Sequence, residues 1–469
     1  MQGYTCIRFF MEILAAEVRR MVLKKKSGGS EGIAYILLRF SLPLILSGVL
    51  QQLYNWADAF IVGNVVGELA LAAVGATTTV INFYLMAVTG FTLGLSILFA
   101  QKYGSGETEH IPEILSTFSI VFGGVFIILS ALGIAAAFPL LGLLHTTRDT
   151  VLLAGSYLKI IFAGIPFLAV YNVYAAALRG IGDSRAPFLA ILFSSAINVG
   201  LDILFVAFLH WGVEGAAAAS VLSQAAMAAF LIIYAVKKYP LLRYRLGKRV
   251  ICRRALRQGV HFGLPPMIQS SVSAFGSLLL QNFMNGFGTQ TVAAVTTAYR
   301  VDSIILLPII NLGSGISTMT AQSHGGGDGK KARKIFAVGT AMMTVVSLLL
   351  TLLIIPTGGH LIALFGAGAA AAEIGTQFFR RIAGFYVFYG LANAMRGYLE
   401  GLGDVLYSSI AGILSLGFRI AASYALAALF GNMVIAYAEA FSWVLLLLLY
   451  LFRMIWKKRQ IKRQAHVGI

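Results

Sequence analysis

From residue 35 onward the sequence is a succession of apolar runs, each twenty or more residues long and parted by short polar or glycine-rich breaks. No other feature constrains the fold as tightly. The run EILSTFSIVFGGVFIILSALGIAAAF, residues 113–138, is representative, with a single charge at its mouth. Helical residues rise about 1.5 Å each, so roughly 20 of them cross a hydrocarbon layer about 30 Å thick. The runs are continuous rather than alternating, which excludes a transmembrane barrel. Over all 469 residues 58% are hydrophobic and only 12% charged, half the roughly 25% charge of soluble domains. Twelve such runs predict an all-α polytopic membrane protein.

The chain carries 36 Lys and Arg against 18 Asp and Glu, a formal charge of +18. Most of the basic residues fall in the two tails and in loops on the same side. Arg243, Arg245, Lys248, Arg249, Arg253, Arg254 and Arg257 lie between spans 6 and 7, and Lys457, Lys458 and Arg459 close the last span. Only Arg148 lies in a loop of the opposite side. This asymmetry predicts a cell-membrane protein, inner or plasma, with both termini in the cytoplasm. The charge excess therefore reads as topology facing anionic lipid, not as a nucleic-acid surface. Cys6 and Cys252 both fall in cytoplasmic segments and imply neither a disulfide nor a metal site. The first 30 residues lack a signal peptide's apolar core and cleavage site. They fit an interfacial helix, and a start at Met21 fits as well.

Shifted by 221 residues, the sequence lies over itself. GLSILFAQKYGSGE (94–107) matches GISTMTAQSHGGGD (315–328), and LRGIGD (178–183) matches LEGLGD (399–404). LAAVGA (71–76) lies over VAAVTT (292–297), Asn172 over Asn393, and Pro43 over Pro265 with one residue of slip. One offset holding across separated segments indicates duplication. Six spans per half is an even number, so both halves insert in the same orientation, as parallel repeats around a central cavity. The expected organisation is a tail at 1–32, an amino lobe at 33–236, a basic linker at 237–258, a carboxyl lobe at 259–453 and a tail at 454–469.

An ionisable side chain within lipid costs a few kcal/mol or more, so each one calls for a reason. Asp58, Asp202, Asp302 and Glu439 fall well inside spans. Asn198 and Asp202 are four apart in span 5 and share a face. Gln51, Asn55 and Asp58 form a polar stripe on span 1, with Asp58 in the same outer half as Asp202. Two carboxylates at similar depth with amide company are what a cation or proton site requires. Helix–helix hydrogen bonding is the structural alternative.

The carboxyl half departs at these points. Leu280 and Gln281 stand where Asp58 would be, and LGFRI laid over VGLDI, a local offset of 217, puts Arg419 at the place of Asp202. Its span 7 carries a neutral stripe of Ser270, Ser273, Ser277 and Gln281. Together with Gln51, Tyr54 and Asn55 of span 1, Ser273, Ser277 and Gln281 are candidate linings of a substrate cavity. Asp302 follows Arg300, a local partner that gives it a structural role as readily as a second site, and Glu439 reads as a packing residue. Charge retained in one lobe and lost in the other predicts an asymmetric machine. Tyr54, Phe83, Tyr84, Tyr171, Tyr174, Tyr299, Phe385, Tyr386 and Tyr389 are candidates for cation–π contact with flat organic cations, or for plain packing. Pro43, Pro166, Pro265 and Pro308 permit kinks within spans. No HExxH, DxD or GxSxG is present, and SHGGGDGKKARK lacks the spacing of a phosphate loop. The sequence therefore predicts neither an enzyme nor a cofactor.

Nearly the whole chain, about residues 33–450, resembles the multidrug and toxic compound extrusion (MATE) family of the multidrug/oligosaccharidyl-lipid/polysaccharide flippase superfamily. The resemblance is carried by LPLILSGVLQQLYNWADAFIVGNVVGELALAAVG, AALRGIGDSRAPF, NVGLDILF, TVAAVTTAYRVDSI and LEGLGD. It implies twelve helices in two six-helix lobes that extrude small organic cations and drugs in exchange for inward H⁺ or Na⁺ by alternating access. It also implies a coupling-cation site in the amino lobe, mapping onto Asp58, Asn172, Asn198 and Asp202, with Na⁺ held by Asp58, Asp202 and Asn198. A second subgroup uses acidic residues on helices 7 and 10. This chain has Gln269 and Gln281 on helix 7 and only Glu373 at the mouth of helix 10, which favours the amino-lobe type. The expectation is a monomeric H⁺- or Na⁺-coupled antiporter embedded in membrane lipid. A flippase of lipid-linked oligosaccharide precursors is the alternative, kept open by Arg380, Arg381, Arg396 and Arg419; a scaffold or membrane enzyme is the more distant one.

Overall fold

A computed structural model describes residues 32–144, 146–244, 251–364 and 368–467. The amino-terminal tail with Cys6 and Met21, and Arg245, Lys248 and Arg249 of the basic linker, lie outside the described residues. Among those described the chain is helical and contains no strand. In lipid every backbone N–H and C=O must be satisfied internally, and the helix does this within one segment.

The helices are α1 (Ile33–Ile61), α2 (Glu68–Gly104), α3 (Ile111–Leu143), α4 (Arg148–Gly180), α5 (Arg185–Asp202) and α6 (Gly212–Lys238) in the first half. The second half holds α7 (Arg253–Asn285), α8 (Thr289–Ile305), α9 (Leu307–Gly325), α10 (Gly329–Leu364), α11 (Ala369–Ile382), α12 (Tyr386–Gly401), α13 (Val405–Ala425) and α14 (Val434–Val467). Among the described residues nine segments are long and apolar enough to cross a membrane singly. The pair α8–α9, bent by 41° beside Pro308, makes a tenth. The long α7, with Pro265 and Pro266 inside it, and the broken pair α11–α12 bring the spans to the expected twelve.

The duplication is written in the backbone. Among the described residues six of the eight glycines with positive φ come in pairs 221 positions apart: Gly67 and Gly288, Gly106 and Gly327, Gly182 and Gly403. Each pair marks the same turn in the two halves, and a side chain there would be strained. Close helix contacts repeat as well. A Cβ on Gly180 would stand 3.0 Å from the carbonyl of Ser96, and one on Gly401 would stand 2.7 Å from that of Ser317. The small residues matched in the sequence are thus contact points where one helix lies against another's backbone.

The described residues form two compact units, those of 43–274 with 324–327, and those of 32–42 with 275–323 and 328–467. The division falls inside α1, inside α7 and near the end of α9, and not in the linker. In the first unit α4 packs against α2, α3 and α6. That central position explains why its stretch YNVYAAALRG is buried almost all round. In the second unit α12 packs against α10 and α14, and α11 against α8 and α10. Each unit has its own core, one around Phe99, Phe118, Phe162 and Tyr174, the other around Phe378, Phe379, Tyr386 and Ile354.

The Gly-Asp turns tie each half together in the same way. Asp183 Oδ1 accepts the backbone N–H groups of Arg185 and Ala186, capping α5. Its Oδ2 accepts the Tyr239 hydroxyl at 2.7 Å, Lys238 Nζ at 3.1 Å and the Tyr234 hydroxyl at 3.2 Å. The counterpart Asp404 accepts Arg453 Nε at 2.7 Å, its second guanidinium nitrogen at 3.0 Å and Lys457 Nζ at 3.0 Å. Burial pushes both carboxyls up, but these donors outweigh it and hold both below the usual carboxylate range.

Candidate functional site

Asp58 and Asp202 end up together. Asp58 lies near the end of α1, just before a π-helical turn at Val62–Val66, and Asp202 closes α5, just before another at Ile203–Phe208. Such turns carry one extra residue and concentrate at functional sites. The two turns pack against each other within a small separate core that holds Val62, Val206 and Tyr157. Asp202 is 1% exposed and Asn198 fully buried, while Asp58 is 9% exposed. The carboxylates are within electrostatic range of each other and of the Tyr54 and Tyr157 hydroxyls.

The site's defining feature is what these groups do not bind. Asp58 Oδ1, both oxygens of Asp202 and both polar atoms of the Asn198 amide are buried without a hydrogen-bond partner among the described residues. Buried polar groups are nearly always paired, because an unmet one costs on the order of 1–3 kcal/mol. Neither Asp58 nor Asp202 forms an ion pair among the described residues. Carboxylate and amide oxygens, without a cluster of three or more His, Cys, Asp or Glu among the described residues, suit a proton or a hard monovalent cation rather than a transition metal.

The other candidates divide. Tyr54 joins the site, its hydroxyl 3.1 Å from Ser220 Oγ. Gln51 and Asn55 are exposed, so the stripe on α1 is buried only at Asp58. Asn172 has a bond within its own helix: its amide donates to Leu168 O at 2.9 Å, and Asn393 repeats that bond with Tyr389 O at 2.9 Å. Ser273 donates to Gln269 O, Gln281 donates to Asn285, and Ser277 is exposed. Tyr157 and Ser220 belong to the neighbourhood yet carry no polar pattern in the sequence; helical spacing from Leu153 and Ile161 reads Tyr157 as core.

The second half holds a buried network that the sequence reading missed. Arg419 donates to Glu439 at 2.8 Å and to the Tyr299 hydroxyl at 2.7 Å. Tyr386 donates to Asp302, which lies within electrostatic range of Glu439 and Arg419. Asp302 thus turns from the expected Arg300, which is exposed, and Glu439 is an ion-pair partner rather than a packing residue. Opposite charges on consecutive spans were the available signal.

Hydrogen bonds also correct the register around Arg419. Ser194 Oγ donates to Ser223 O at 3.0 Å and Ser223 Oγ to Ser220 O at 2.9 Å. In the second half Ser415 Oγ donates to Ser442 O at 2.8 Å and Ser442 Oγ to Glu439 O at 2.6 Å. The bonds superpose Asn198 on Arg419 and Ser220 on Glu439, one helical turn from the pairing of Arg419 with Asp202. The letters misled because GLD and GFR offer a glycine match that helix packing does not use.

Twelve spans folded as a duplicated six-helix unit, with ionisable groups buried inside the helix bundles, are the architecture of a polytopic membrane transporter. The chain belongs to the MatE family, whose model matches it twice, over residues 43–204 and 265–425. Members of this family are transporters, not enzymes, and need no cofactor. Among curated relatives, the probable multidrug resistance protein YpnP of Bacillus subtilis is 28% identical over 81% of this chain and 85% of its own length. YoeA of the same organism, also named a probable multidrug resistance protein, is 27% identical over 94% and 98%. The multidrug export protein MepA of Staphylococcus aureus is 23% identical over 84% and 87%. A solved outward-facing multidrug resistance MATE transporter superposes with a TM-score of 0.84 at 21% identity, covering 92% of this chain and 97% of that one. A superfamily transporter from Pyrococcus furiosus, described as having a binding pocket of reversed polarity, also scores 0.84 at 22% identity, covering 92% and 96%.

Proposed function

We propose that this chain exports organic-cation drugs in exchange for inward H⁺ or Na⁺, with the coupling cation held by Asp58, Asp202 and Asn198. The observation that carries the reading is the convergence of their unpartnered, buried oxygens, with no ion pair to Asp58 or Asp202 among the described residues. The names of YpnP, YoeA and MepA support the substrate class. In the proposed cycle both termini are cytoplasmic, and Asp58 and Asp202 load a cation from the outer side. The charge change repacks the π-turns that follow both residues, so α1 shifts and its hold on the drug weakens. The drug leaves, and the lobes rock inward. The flippase reading needs a free cationic cavity, and the pairing of Arg419 with Glu439 and of Arg396 with Glu400 weighs against it.

The test is efflux of a fluorescent organic cation from proteoliposomes under separately imposed pH and Na⁺ gradients. One gradient drives wild-type efflux, and Asp58→Asn and Asp202→Asn each lose it. Gradient-driven efflux that survives both substitutions overturns the proposal.

A further inference from the structure

The hydrogen-bond register places Arg419 where the first half has Asn198, and Glu439 where it has Ser220. The second half therefore has a positive charge built in at the counterpart of the candidate cation site. Its surroundings are those of a bound organic cation. The guanidinium meets a carboxylate at Glu439, a hydroxyl at Tyr299, and the Tyr299 ring with its centroid 5.6 Å away. Asp302, fixed by Tyr386, adds a second negative charge within range. Carboxylate, hydroxyl and aromatic face together are how proteins recognise a guanidinium group, whose N–H donors a quaternary ammonium lacks. One donor remains unmet: Arg419 Nε is buried with no acceptor. A side chain selected only to tie helices would satisfy its fork.

We propose that the second half retains a cation pocket, lined by Asp302, Tyr299, Tyr386 and Glu439, whose permanent occupant is the chain's own Arg419. A tethered cation cannot leave, so this half binds no exchangeable ion. The chemical class the pocket takes, once the tether is cut, is a small planar monovalent organic cation of the guanidinium type. The consequence that ion exchange is confined to the first half rests on reading Asp58 and Asp202 as the coupling site; the pocket itself does not.

The experiment is thermal unfolding of the purified full-length protein in detergent, with millimolar guanidinium chloride against choline chloride at equal ionic strength. Arg419→Ala lowers Tm, and guanidinium restores it in a dose-dependent way by binding only the folded state. Wild type, its pocket filled, gains nothing. Arg419→Ala with Glu439→Gln unfolds above Arg419→Ala alone, because the carboxylate that Arg419 had paired is gone and only Asp302, held by Tyr386, remains, and it does not respond to guanidinium. Arg419→Gln supplies the same test with a smaller lesion if the alanine variant does not accumulate. Asp58→Asn with Asp202→Asn, introduced beside Arg419→Ala, leaves the rescue intact, so failure of the coupling-site reading shows separately. The proposal is overturned if guanidinium rescues neither single variant, or if it stabilises wild type or the double variant equally.

Discussion

Replacing Asp202 by Asn separates a functional carboxylate from a structural one, because the two roles predict opposite changes in stability. Asp202 is 1% exposed and neither of its oxygens has a hydrogen-bond partner. Asn is nearly isosteric and leaves no cavity, so packing contributes little to the difference. Removing a carboxylate whose ionised form is costly inside a span relieves up to about 3 kcal/mol, and the electrostatic influence of Asp58 adds to the relief. Against this, the new amide places its own unpaired atoms there, costing on the order of 1–3 kcal/mol. The balance is a variant as stable as wild type or more stable, whereas loss of a helix-tying hydrogen bond would cost about 1 kcal/mol. Transport moves the other way: an amide neither takes up a proton nor supplies charge for Na⁺, so gradient-driven efflux falls at least tenfold, equivalent to about 1.4 kcal/mol in the driven step. The assay pairs Tm of the purified protein with initial efflux rates in proteoliposomes of matched protein content. A Tm several degrees lower with efflux intact refutes the reasoning, since it identifies Asp202 as structural glue.

Two further expectations concern the scaffold. Asp404→Asn removes the negative charge and one of the two oxygens that accept from Arg453 and Lys457, whose side chains are 23% and 30% exposed, and costs about 1–3 kcal/mol, between a surface pair and a buried one. The Asp404 carboxyl is held below its ordinary value when folded, so its stabilisation is complete above the unfolded pKa near 4 and is lost as pH falls toward the lower folded value. The Tm difference between wild type and variant should therefore be constant from pH 6 to 8 and shrink below about pH 4; a difference that grows on acidification contradicts the assignment. Gly397→Ala would raise intrinsic helix propensity by about 1 kcal/mol, but the added Cβ would stand 2.4 Å from Gly313 O. Backbone cannot yield as a side-chain tip can, so overpacking of about 1–3 kcal/mol wins and Tm falls; a rise in Tm would show that α9 and α12 separate at no cost.

What the sequence made legible follows from where its signals are local. Spans announce themselves because twenty apolar residues in a row have few other solutions, and the duplication survives in glycines because Gly182 and Gly403 hold a backbone conformation that other residues resist. Asp58, Asn198 and Asp202 stood out by the cost of burying them, and the structure brings that trio to one place. The break at Leu306 beside Pro308 was foreshadowed by a proline, whereas the π-turns after Asp58 and Asp202 have no comparable letter signature. Tyr157 escaped notice because its role depends on a neighbour about a hundred residues away in sequence. Arg419 was visible but was placed one turn out, since sequence matching weighs a shared glycine above a shared hydrogen bond.

That one-turn correction changes the nature of the asymmetry between the halves. With Arg419 opposite Asp202, the second half had simply reversed a charge, and its acids remained unrelated leftovers. With Arg419 opposite Asn198 and Glu439 opposite Ser220, a neutral polar pair in one half has become an ion pair in the other, at the same hydrogen-bonded junction between the fifth and sixth helices of each repeat. Both halves then face the same physical problem, negative charge inside a low-dielectric bundle, and solve it differently. Among the described residues the first gives Asp58 and Asp202 no counter-charge of their own, a need that on the proposed coupling reading is met from solution; the second supplies its counter-charge covalently. A buried carboxylate that depends on a solution cation makes that half's conformation respond to ion gradients, and a tethered guanidinium makes the other half indifferent to them. A two-lobed machine that couples to a single site has reason to carry both arrangements.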